Sequence, residues 1–300
     1  PVEVLLSGLN RPGERHGTKY TYTAPGYRLK YKDMKDYRNE TGRKLEILME
    51  DKPTGLEVCS NIQFYDGISV IRSWTELKNN GEEDLGVEYV SSFALLGIDK
   101  EGLLSTDEKL EVLIARNAWQ KELIWNRFSM DQLGMSISQP DKVRRSSQTI
   151  SVGNTGNWST KNYLPMGCLK NKETDSILFW QIEQNGSWYW EISDQDGHMY
   201  LQLSGPTEHQ SHWWKNLKPG DTFASVPVSV GSACGDVEEA AGELTKYRRA
   251  IRRKNEDNEK LPVIFNDYMN CLWGDPTTEK ELPLIDKAKE AGCEYFCVDC

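Results

Sequence analysis

The sequence lacks the signals of several large protein classes. It has no run of about 18 apolar residues, the length that crosses a bilayer, and no charged-then-apolar leader at its start. A Gly-x-Ser-x-Gly nucleophile elbow and a glycine-rich phosphate loop are both missing. We also find no internal repeat and no low-complexity stretch. These absences speak against a membrane span, against serine-dependent acyl transfer and against nucleotide chemistry.

Positive charge is also in short supply. The chain has 36 Lys and Arg residues against 46 Asp and Glu residues, which gives a net charge of -10 and a pI near 5.1. A surface of this kind repels phosphate backbones and anionic lipids. We therefore expect no nucleic-acid partner and no membrane partner, and a neutral ligand suits the charge better.

The seven cysteines are odd in number and are not spaced as a disulfide framework. They predict reduced thiols and a cytoplasmic protein. The chain starts at Pro1 and stops at Cys300, so we expect a fragment or a processed product, for which a missing leader says little about export. The length of 300 residues and the hydrophobic content of 38% are typical of two folded domains.

Residues 18–232 have the pattern of short strands joined by tight turns. In residues 87–95 the apolar side chains at 87, 89, 93 and 95 would share one face, because strand side chains alternate with period two. Residues 74–78 and the turn at Asn79-Asn80-Gly81 precede this strand, which predicts a hairpin or a close relative of one.

A second group of strands follows the same logic. Residues 177–183, 188–192 and 199–203 are separated by Asn185-Gly186 and by Asp196-Gly197, which predicts a three-stranded meander. So many half-apolar strands need a second sheet to cover them. We therefore expect residues 1–234 to form an antiparallel β-sandwich domain.

The hydrophobic period changes at Asp236. Apolar residues then recur in steps of three and four, and Asp236 with Glu239 resembles a capping box. We assign residues 235–261 to a linker helix with a polar end, and we interpret its basic last turn as solvated rather than as an anion site. The positions of the apolar stripe are Val237, Ala240, Leu244, Tyr247 and Ile251.

The last segment, residues 262–300, predicts one β-α-β unit. Residues 262–266 form a continuous apolar run typical of a strand covered on both faces, Thr278 and Glu281 offer a capping box, and Gly292 ends the helix. Residues 294–299 supply the second strand. Because so short a unit cannot bury its own faces, we expect it to begin a larger parallel sheet or barrel.

Two other motifs in the sequence give weaker predictions. Cys297 and Cys300 match Cys-x-x-Cys, but a redox pair belongs at a helix N-terminus and these residues lie in a strand, so buried thiols are the favoured interpretation. His209 and His212 have no Cys or carboxylate at ligand spacing, so we predict an exposed turn there and no metal.

The candidate binding residues follow the ends of the two parallel strands. In a βα barrel the reacting groups stand at the carboxyl ends of strands and on the loops after them. Carboxamide, carboxylate and aromatic groups hydrogen-bond sugar hydroxyls and stack on sugar rings, although each can also have only a structural role. The candidates are Asn266, Asp267, Tyr268, Trp273 and Asp299.

These segments resemble a known family. Residues 262–270 (PVIFNDYMN), 282–286 (LPLID) and 295–299 (YFCVD) are similar to the first β-α-β unit of the family-36 glycoside hydrolases, the α-galactosidase and raffinose-synthase group. Upstream, residues 72–77 (RSWTEL), 85–89 (LGVEY) and 217–223 (LKPGDTF) resemble that family's N-terminal sandwich.

The resemblance implies a fold class and an activity. The fold is mainly β: an antiparallel β-supersandwich, a linker helix and the start of a (β/α)8 barrel. The activity it implies is that of a retaining α-glycosidase, first of all an α-galactosidase, acting on an oligosaccharide or α-galactoside without a cofactor and as a homo-oligomer. Both catalytic carboxylates of the family lie on later barrel strands, so we expect them beyond Cys300 and expect the fragment alone to be inactive.

The resemblance also places individual residues. Asp299 matches the first member of an acidic pair that binds galactose hydroxyls, Cys300 replaces the second member, and Tyr268 replaces a family Trp. A thiol is a poor acceptor for a hydroxyl, so an altered or N-acetylated sugar stays open. Two alternatives also stay open: a non-catalytic carbohydrate-binding sandwich that uses its Trp-rich strands as a stacking platform, and an α-galactosyl transglycosylase.

Overall fold

Two antiparallel sheets make up most of the first part of the chain. The computed structural model describes residues 2–9, 19–135, 148–195 and 197–300. It divides into two units, Pro1–Ala250 and Ile251–Cys300. The mainly β, antiparallel architecture predicted for the N-terminal region is confirmed. The domain boundaries after residues 234 and 261 stay predictions.

The strands of the first unit form a sheet of ten and a sheet of six among the described residues. The ten-stranded sheet has the order β2-β3-β4-β5-β16-β11-β10-β7-β8, with β15 beside β5, and the six-stranded sheet has the order β1-β6-β13-β12-β9, with β14 beside β6. The bounds are β1 Val4–Leu6, β2 Lys30–Asn39, β3 Gly42–Asp51, β4 Leu56–Phe64, β5 Val70–Asn79, β6 Leu85–Leu96, β7 Leu110–Arg116, β8 Ile124–Ser129, β9 Ile150–Asn154, β10 Tyr163–Asn171, β11 Ser176–Ile182, β12 Trp188–Gln195, β13 His198–Ser204, β14 Lys215–Leu217, β15 Thr222–Ala224 and β16 Val228–Cys234.

The hydrophobic core lies between the two sheets. One cluster joins Trp180 and Val230 of the ten-stranded sheet to Trp190 and Leu201 of the six-stranded sheet, all of them fully or almost fully buried. Fully burying a large apolar side chain is worth roughly 1.5–3 kcal/mol. The facing sheets therefore form the sandwich that the apolar alternation predicts.

The predicted meander is wrong at its first step. Strand β12 pairs with β13, as expected, but β11 pairs with β10 and β16 in the other sheet. The chain crosses from one sheet to the other at Asn185-Gly186 because β11 and β12 both carry large apolar groups that the core between the sheets must bury. A short turn sequence predicts a reversal of the chain. It does not say whether the next strand hydrogen-bonds to the preceding one or packs against it in the opposite sheet.

The predicted hairpin around Asn79-Asn80-Gly81 is wrong for the same reason, since β5 lies in the ten-stranded sheet and β6 in the six-stranded sheet. The predicted single face of β6 also fails. The pairing with β1 skips Glu88, so Val87 and Val90 face the core while Tyr89 joins a different cluster, and the pairing with β13 skips Ser92. Each β-bulge inserts a residue that interrupts the alternation.

Five α-helices lie among and after these strands in the described part of the chain: α1 Thr106–Lys109, α2 Glu208–Ser211, α3 Val237–Ile251, α4 Asp257–Lys260 and α5 Thr278–Glu290. In α3, Ala240, Leu244 and Tyr247 are buried, as the apolar stripe predicts. The Glu239 carboxylate accepts a hydrogen bond from the Asp236 N–H at 2.8 Å. Residues 235–261, predicted as one linker helix, contain two helices: α3 ends at Ile251, and α4 follows as a separate single turn.

The second unit contains the predicted strand, helix and second strand. Strand β17 (Ile264–Asn266) and strand β18 (Tyr295–Cys297) are parallel neighbours, and Phe265 stacks on Phe296 with ring centroids 5.2 Å apart. Helix α5 starts at Thr278 after the N-cap Thr277, one residue earlier than the predicted cap, and tolerates Pro283 within it. A π-helical turn, Tyr268–Leu272, follows β17.

Candidate functional site

The five candidate residues lie together at the carboxyl ends of the two parallel strands. Asn266 is the last residue of β17, Asp267 and Tyr268 begin the turn after it, and Asp299 lies two residues beyond β18. Parallel pairing of Asn266 with Cys297 brings these ends side by side. Their proximity is what the sequence pattern predicts, whereas their contact with a sugar stays a prediction.

Two hydrogen bonds hold Asp299 in place. The Asn266 amide donates to Oδ2 of Asp299 at 2.9 Å, and the Asp299 backbone N–H donates to Oδ1 of Asp267 at 2.8 Å. Oδ1 of Asp299 has no protein donor among the described residues. The carboxylate is half-buried. It is therefore fixed on one side and able to accept a hydroxyl on the other.

An aromatic pair lies beside these polar groups. The rings of Tyr268 and Trp273 meet at 61° with centroids 5.8 Å apart, and Trp273 is 65% exposed. Gly274 follows at a φ of +82°, and a Cβ there would come within 3.6 Å of both Tyr268 Cε2 and Cys300 Cβ. The loop after β17 thus brings Gly274 close to the Tyr268 ring and to Cys300.

Asp267 differs from the other candidates because it is buried, with 1% of its surface exposed. Its carboxyl faces that of Glu281, the fourth residue of α5, which is 8% exposed. The Asp299 N–H and then the Glu281 carboxyl lower the pKa of Asp267. The Asp267 carboxylate and then burial raise the pKa of Glu281. In this structure the Asp267 carboxyl contacts the backbone N–H of Asp299 and the carboxyl of Glu281.

Sequence analysis missed Glu281 as part of this site. The residue stands three positions after Thr278, a spacing that predicts a capping box, in which the Glu281 carboxyl reaches back to the start of the helix. The helix begins one residue earlier than that assignment requires. A buried position in the first turn of a helix that faces a strand end was the signal that could have identified it.

The structure adds no functional role for the His209/His212 pair or for the Cys297/Cys300 pair. In the described part of the chain there is no group of three His, Cys, Asp or Glu residues that could hold a metal ion. His209 lies in the short helix α2, and His212 ends it. Cys297 and Cys300 are exposed free thiols, contrary to the prediction that they are buried. Among the described helices none is long and apolar enough to cross a membrane.

Most Trp residues on the strands of the sandwich point inward. Trp180, Trp188 and Trp190 are at most 1% exposed. The Trp side chains that are at least half exposed lie outside the strands: Trp119, Trp158, Trp214 and Trp273. The strands themselves therefore do not present a row of tryptophans to a sugar.

The sequence was compared with protein-family models and with known proteins. No protein-family model matches the sequence. The chain is 22% identical over 269 residues to the α-galactosidase Mel36A of Lactobacillus acidophilus, which covers 87% of this chain and 33% of that protein. The chain resembles the N-terminal region of the family-36 α-galactosidases.

Solved structures of this family share the fold. A variant of the α-galactosidase AgaA of Geobacillus stearothermophilus, in complex with raffinose, superimposes with a TM-score of 0.73 at 17% identity over 99% of this chain and 39% of that one. The α-galactosidase of Lactobacillus brevis gives 0.67 at 16% identity over 89% of this chain and 35% of that one. The chain thus spans about a third of the length of these family-36 proteins, and the similarity shows the fold of that portion.

Proposed function

We propose that this chain is the N-terminal portion of a retaining α-glycosidase, in the first place an α-galactosidase. The observation that carries the proposal is the tethered Asp299. A half-buried carboxylate stands at the end of a parallel strand, fixed by Asn266 and Asp267, in a chain that resembles family-36 α-galactosidases along most of its length. A carboxylate held in this way is suited to accept hydrogen bonds from sugar hydroxyls.

We propose further that the second unit begins a (β/α)8 barrel. Helix α5 connects two parallel strands, but neighbouring apolar side chains of those strands are open to solvent: Ile264 is 59% exposed and its cross-strand partner Tyr295 is 50% exposed. Parallel strands are normally covered on both faces. Further strands and helices of a barrel would cover these side chains.

The same comparison supports a substrate class. Two variants of one relative, AgaA of Geobacillus stearothermophilus, were crystallised with raffinose and with stachyose. We propose an oligosaccharide with a terminal α-galactosyl group as the substrate, with the aromatic pair Tyr268 and Trp273 packing on the sugar ring and Asp299 accepting from its hydroxyls. Cys300 lies where a second acceptor would help, and its thiol weakens the selection for galactose.

The chemistry assigned to the proposed enzyme is double displacement. One carboxylate attacks the anomeric carbon to form a glycosyl-enzyme, and a second carboxyl protonates the leaving oxygen and then activates water, the two being about 5–5.5 Å apart. We propose that both groups lie outside residues 1–300, as the resemblance to the family-36 enzymes implies. The buried Asp267 and Glu281 cannot reach a sugar. The described residues bind and orient the substrate. Cytoplasmic location and homo-oligomeric assembly remain predictions.

The test is Asp299→Ala in the full-length protein that contains this chain. We expect kcat/KM for an aryl α-galactoside to fall about 10- to 100-fold, because a hydrogen bond to a charged group is worth about 1.5–3 kcal/mol. Asp286→Ala removes an exposed carboxylate from α5 and serves as the control. Unchanged kcat/KM in Asp299→Ala would remove Asp299 from the site, and no hydrolysis of any α-galactoside by the unaltered protein would overturn the proposed function.

Product analysis separates hydrolysis from transfer. With raffinose as the probe, free galactose as the main product indicates hydrolysis, and larger oligosaccharides indicate a transglycosylase. Galactose binding by a chain that cleaves no glycoside would favour the non-catalytic alternative.

A further inference from the structure

Two carboxyl groups face each other in the second unit without a basic partner. Asp267 and Glu281 are 99% and 92% buried, and no described Lys, Arg or His forms an ion pair with either. Oδ2 of Asp267 and both carboxyl oxygens of Glu281 receive no hydrogen bond from any other described residue. Two ionised carboxylates in contact repel each other strongly, so a pair of this kind retains one proton.

We infer that Asp267 and Glu281 share one proton and that this protonated pair positions Asp299 for sugar binding. The inference rests on the proposed function, since it gives Asp299 the role of binding the sugar. Asp267 and Glu281 are positioning residues, because neither is open to a substrate.

The hydrogen bonds assign the proton to Glu281. Asp267 accepts the Asp299 N–H at 2.8 Å, which favours its ionised form and lowers its pKa. Glu281 has no such donor, and its pKa is raised by the neighbouring carboxylate. A protonated Glu281 therefore donates to an ionised Asp267, and Asp267 in turn fixes the backbone at Asp299.

The sign of the pH effect follows from the raised pKa. The protonated pair is complete at low pH, and it is lost as pH rises through the pKa of Glu281 in the folded protein. Loss of that proton leaves two negative charges in contact, so Asp267 moves away from Glu281 and its hold on Asp299 weakens. We expect KM to rise with pH while kcat changes less.

The other charged groups near the pair do not replace the proton. The Asp299 carboxylate accepts from Asn266, and it adds negative charge on the side of β18. On α5 the neighbouring Lys280 forms an ion pair with Asp275 instead of with Glu281. No described cation therefore offsets a second charge on the pair.

Three variants of the full-length protein test the inference. Glu281→Gln places a permanent N–H donor opposite Asp267, so KM should match that of the unaltered protein at low pH and stay flat as pH rises. Glu281→Ala removes the donor, and KM should increase about three- to tenfold at low pH, the size of one net hydrogen bond. Glu279→Gln, an exposed carboxylate in the same turn, is the matched control.

An infrared measurement separates this inference from the proposed function. A shared proton gives a C=O band of a protonated carboxyl that persists above the pH at which exposed carboxyl groups ionise, and the difference spectrum between the unaltered protein and Glu281→Gln should contain it there. No such band overturns the shared proton. If the band is present but the KM of Glu281→Ala is unchanged and both KM profiles are parallel, the positioning role is overturned. If the band is present and no α-galactoside is hydrolysed, the proposed function fails and the positioning role fails with it, while the proton pair stands.

Discussion

The indole rings of Trp180 and Trp190 meet edge to face, with centroids 5.1 Å apart and planes at 77°, although their strands belong to different sheets. Both side chains are fully buried. Edge-to-face contact of aromatic rings adds about 0.5–1.5 kcal/mol to the free energy gained by burying them. This contact joins β11 of the ten-stranded sheet to β12 of the six-stranded sheet at the centre of the sandwich.

Trp190→Ala should destabilise the chain strongly. Removing a buried indole leaves a cavity between the sheets, and substitutions of this kind cost about 3–5 kcal/mol of unfolding free energy. Urea unfolding followed by circular dichroism measures the loss. Trp119→Ala removes a side chain that is 74% exposed and should change the unfolding free energy by less than about 0.5 kcal/mol. Equal effects of the two substitutions would contradict the structure.

Gly167→Ala tests the packing on the other side of Trp180. A Cβ at Gly167 would lie 2.5 Å from Cζ2 of the Trp180 ring, well inside contact distance. The indole cannot move without disturbing the core, so we expect Gly167→Ala to lower the unfolding free energy by about 1–3 kcal/mol. An unchanged unfolding free energy would contradict this tight packing against Trp180.

Gly242→Ala is the matched control. Gly242 lies in α3 and has no atom within 4 Å of an added Cβ, so the substitution should raise the unfolding free energy by about 0.5–1 kcal/mol.

The sequence predicted the strands well and their partners poorly. Alternation of apolar residues depends on one strand alone, so the core-facing residues of β12 and β13 could be identified from it. The pairing of β11 depends on β10 and β16, which are distant in sequence, and no local turn encodes that choice. The bulges at Glu88 and Ser92 are equally invisible, because a one-residue insertion leaves the composition of β6 unchanged.

In the candidate site, too, local sequence patterns predict some features and packing with other elements decides the rest. Asn266 and Asp299 could be brought together from sequence because parallel strands end at the same edge. The burial of Asp267 could not, since it depends on the start of α5 and on the side chain of Glu281. Local patterns predict which groups lie at a strand end, whereas the packing of the next helix decides which of them face solvent.

Tyr247→Phe tests how α3 is attached to the ten-stranded sheet. The Tyr247 hydroxyl donates to Glu183 at 2.5 Å, and the same carboxylate accepts from Arg72 at 2.7 Å. Loss of a hydrogen bond to a charged group should cost about 1.5–3 kcal/mol. Tyr31 is 67% exposed, so Tyr31→Phe should leave the urea midpoint unchanged. A Tyr247→Phe midpoint equal to that of Tyr31→Phe would contradict the attachment.

Glu191→Gln should change how stability depends on pH. Glu191 is fully buried in β12 and accepts hydrogen bonds from the Tyr189 hydroxyl at 2.8 Å, the Tyr200 hydroxyl at 2.9 Å and the Tyr20 N–H at 3.1 Å. Burial raises its pKa above that of the unfolded chain, although the hydrogen bonds oppose the shift. The folded protein therefore binds a proton at Glu191 more tightly than the unfolded chain does.

The sign follows from proton linkage. Because the folded state binds more protons at this site, the contribution of Glu191 to the unfolding free energy is complete below the unfolded pKa and is lost as pH rises through the folded pKa, by at most about 1.4 kcal/mol per pH unit. The unfolding free energy of the unaltered chain minus that of Glu191→Gln should therefore fall as pH rises from the unfolded pKa of a glutamate through the raised pKa of the folded protein. Glu82→Gln, at an exposed position, should give a constant difference. A difference for Glu191→Gln that stays constant or rises with pH would show that the three hydrogen bonds outweigh burial and keep this carboxylate ionised.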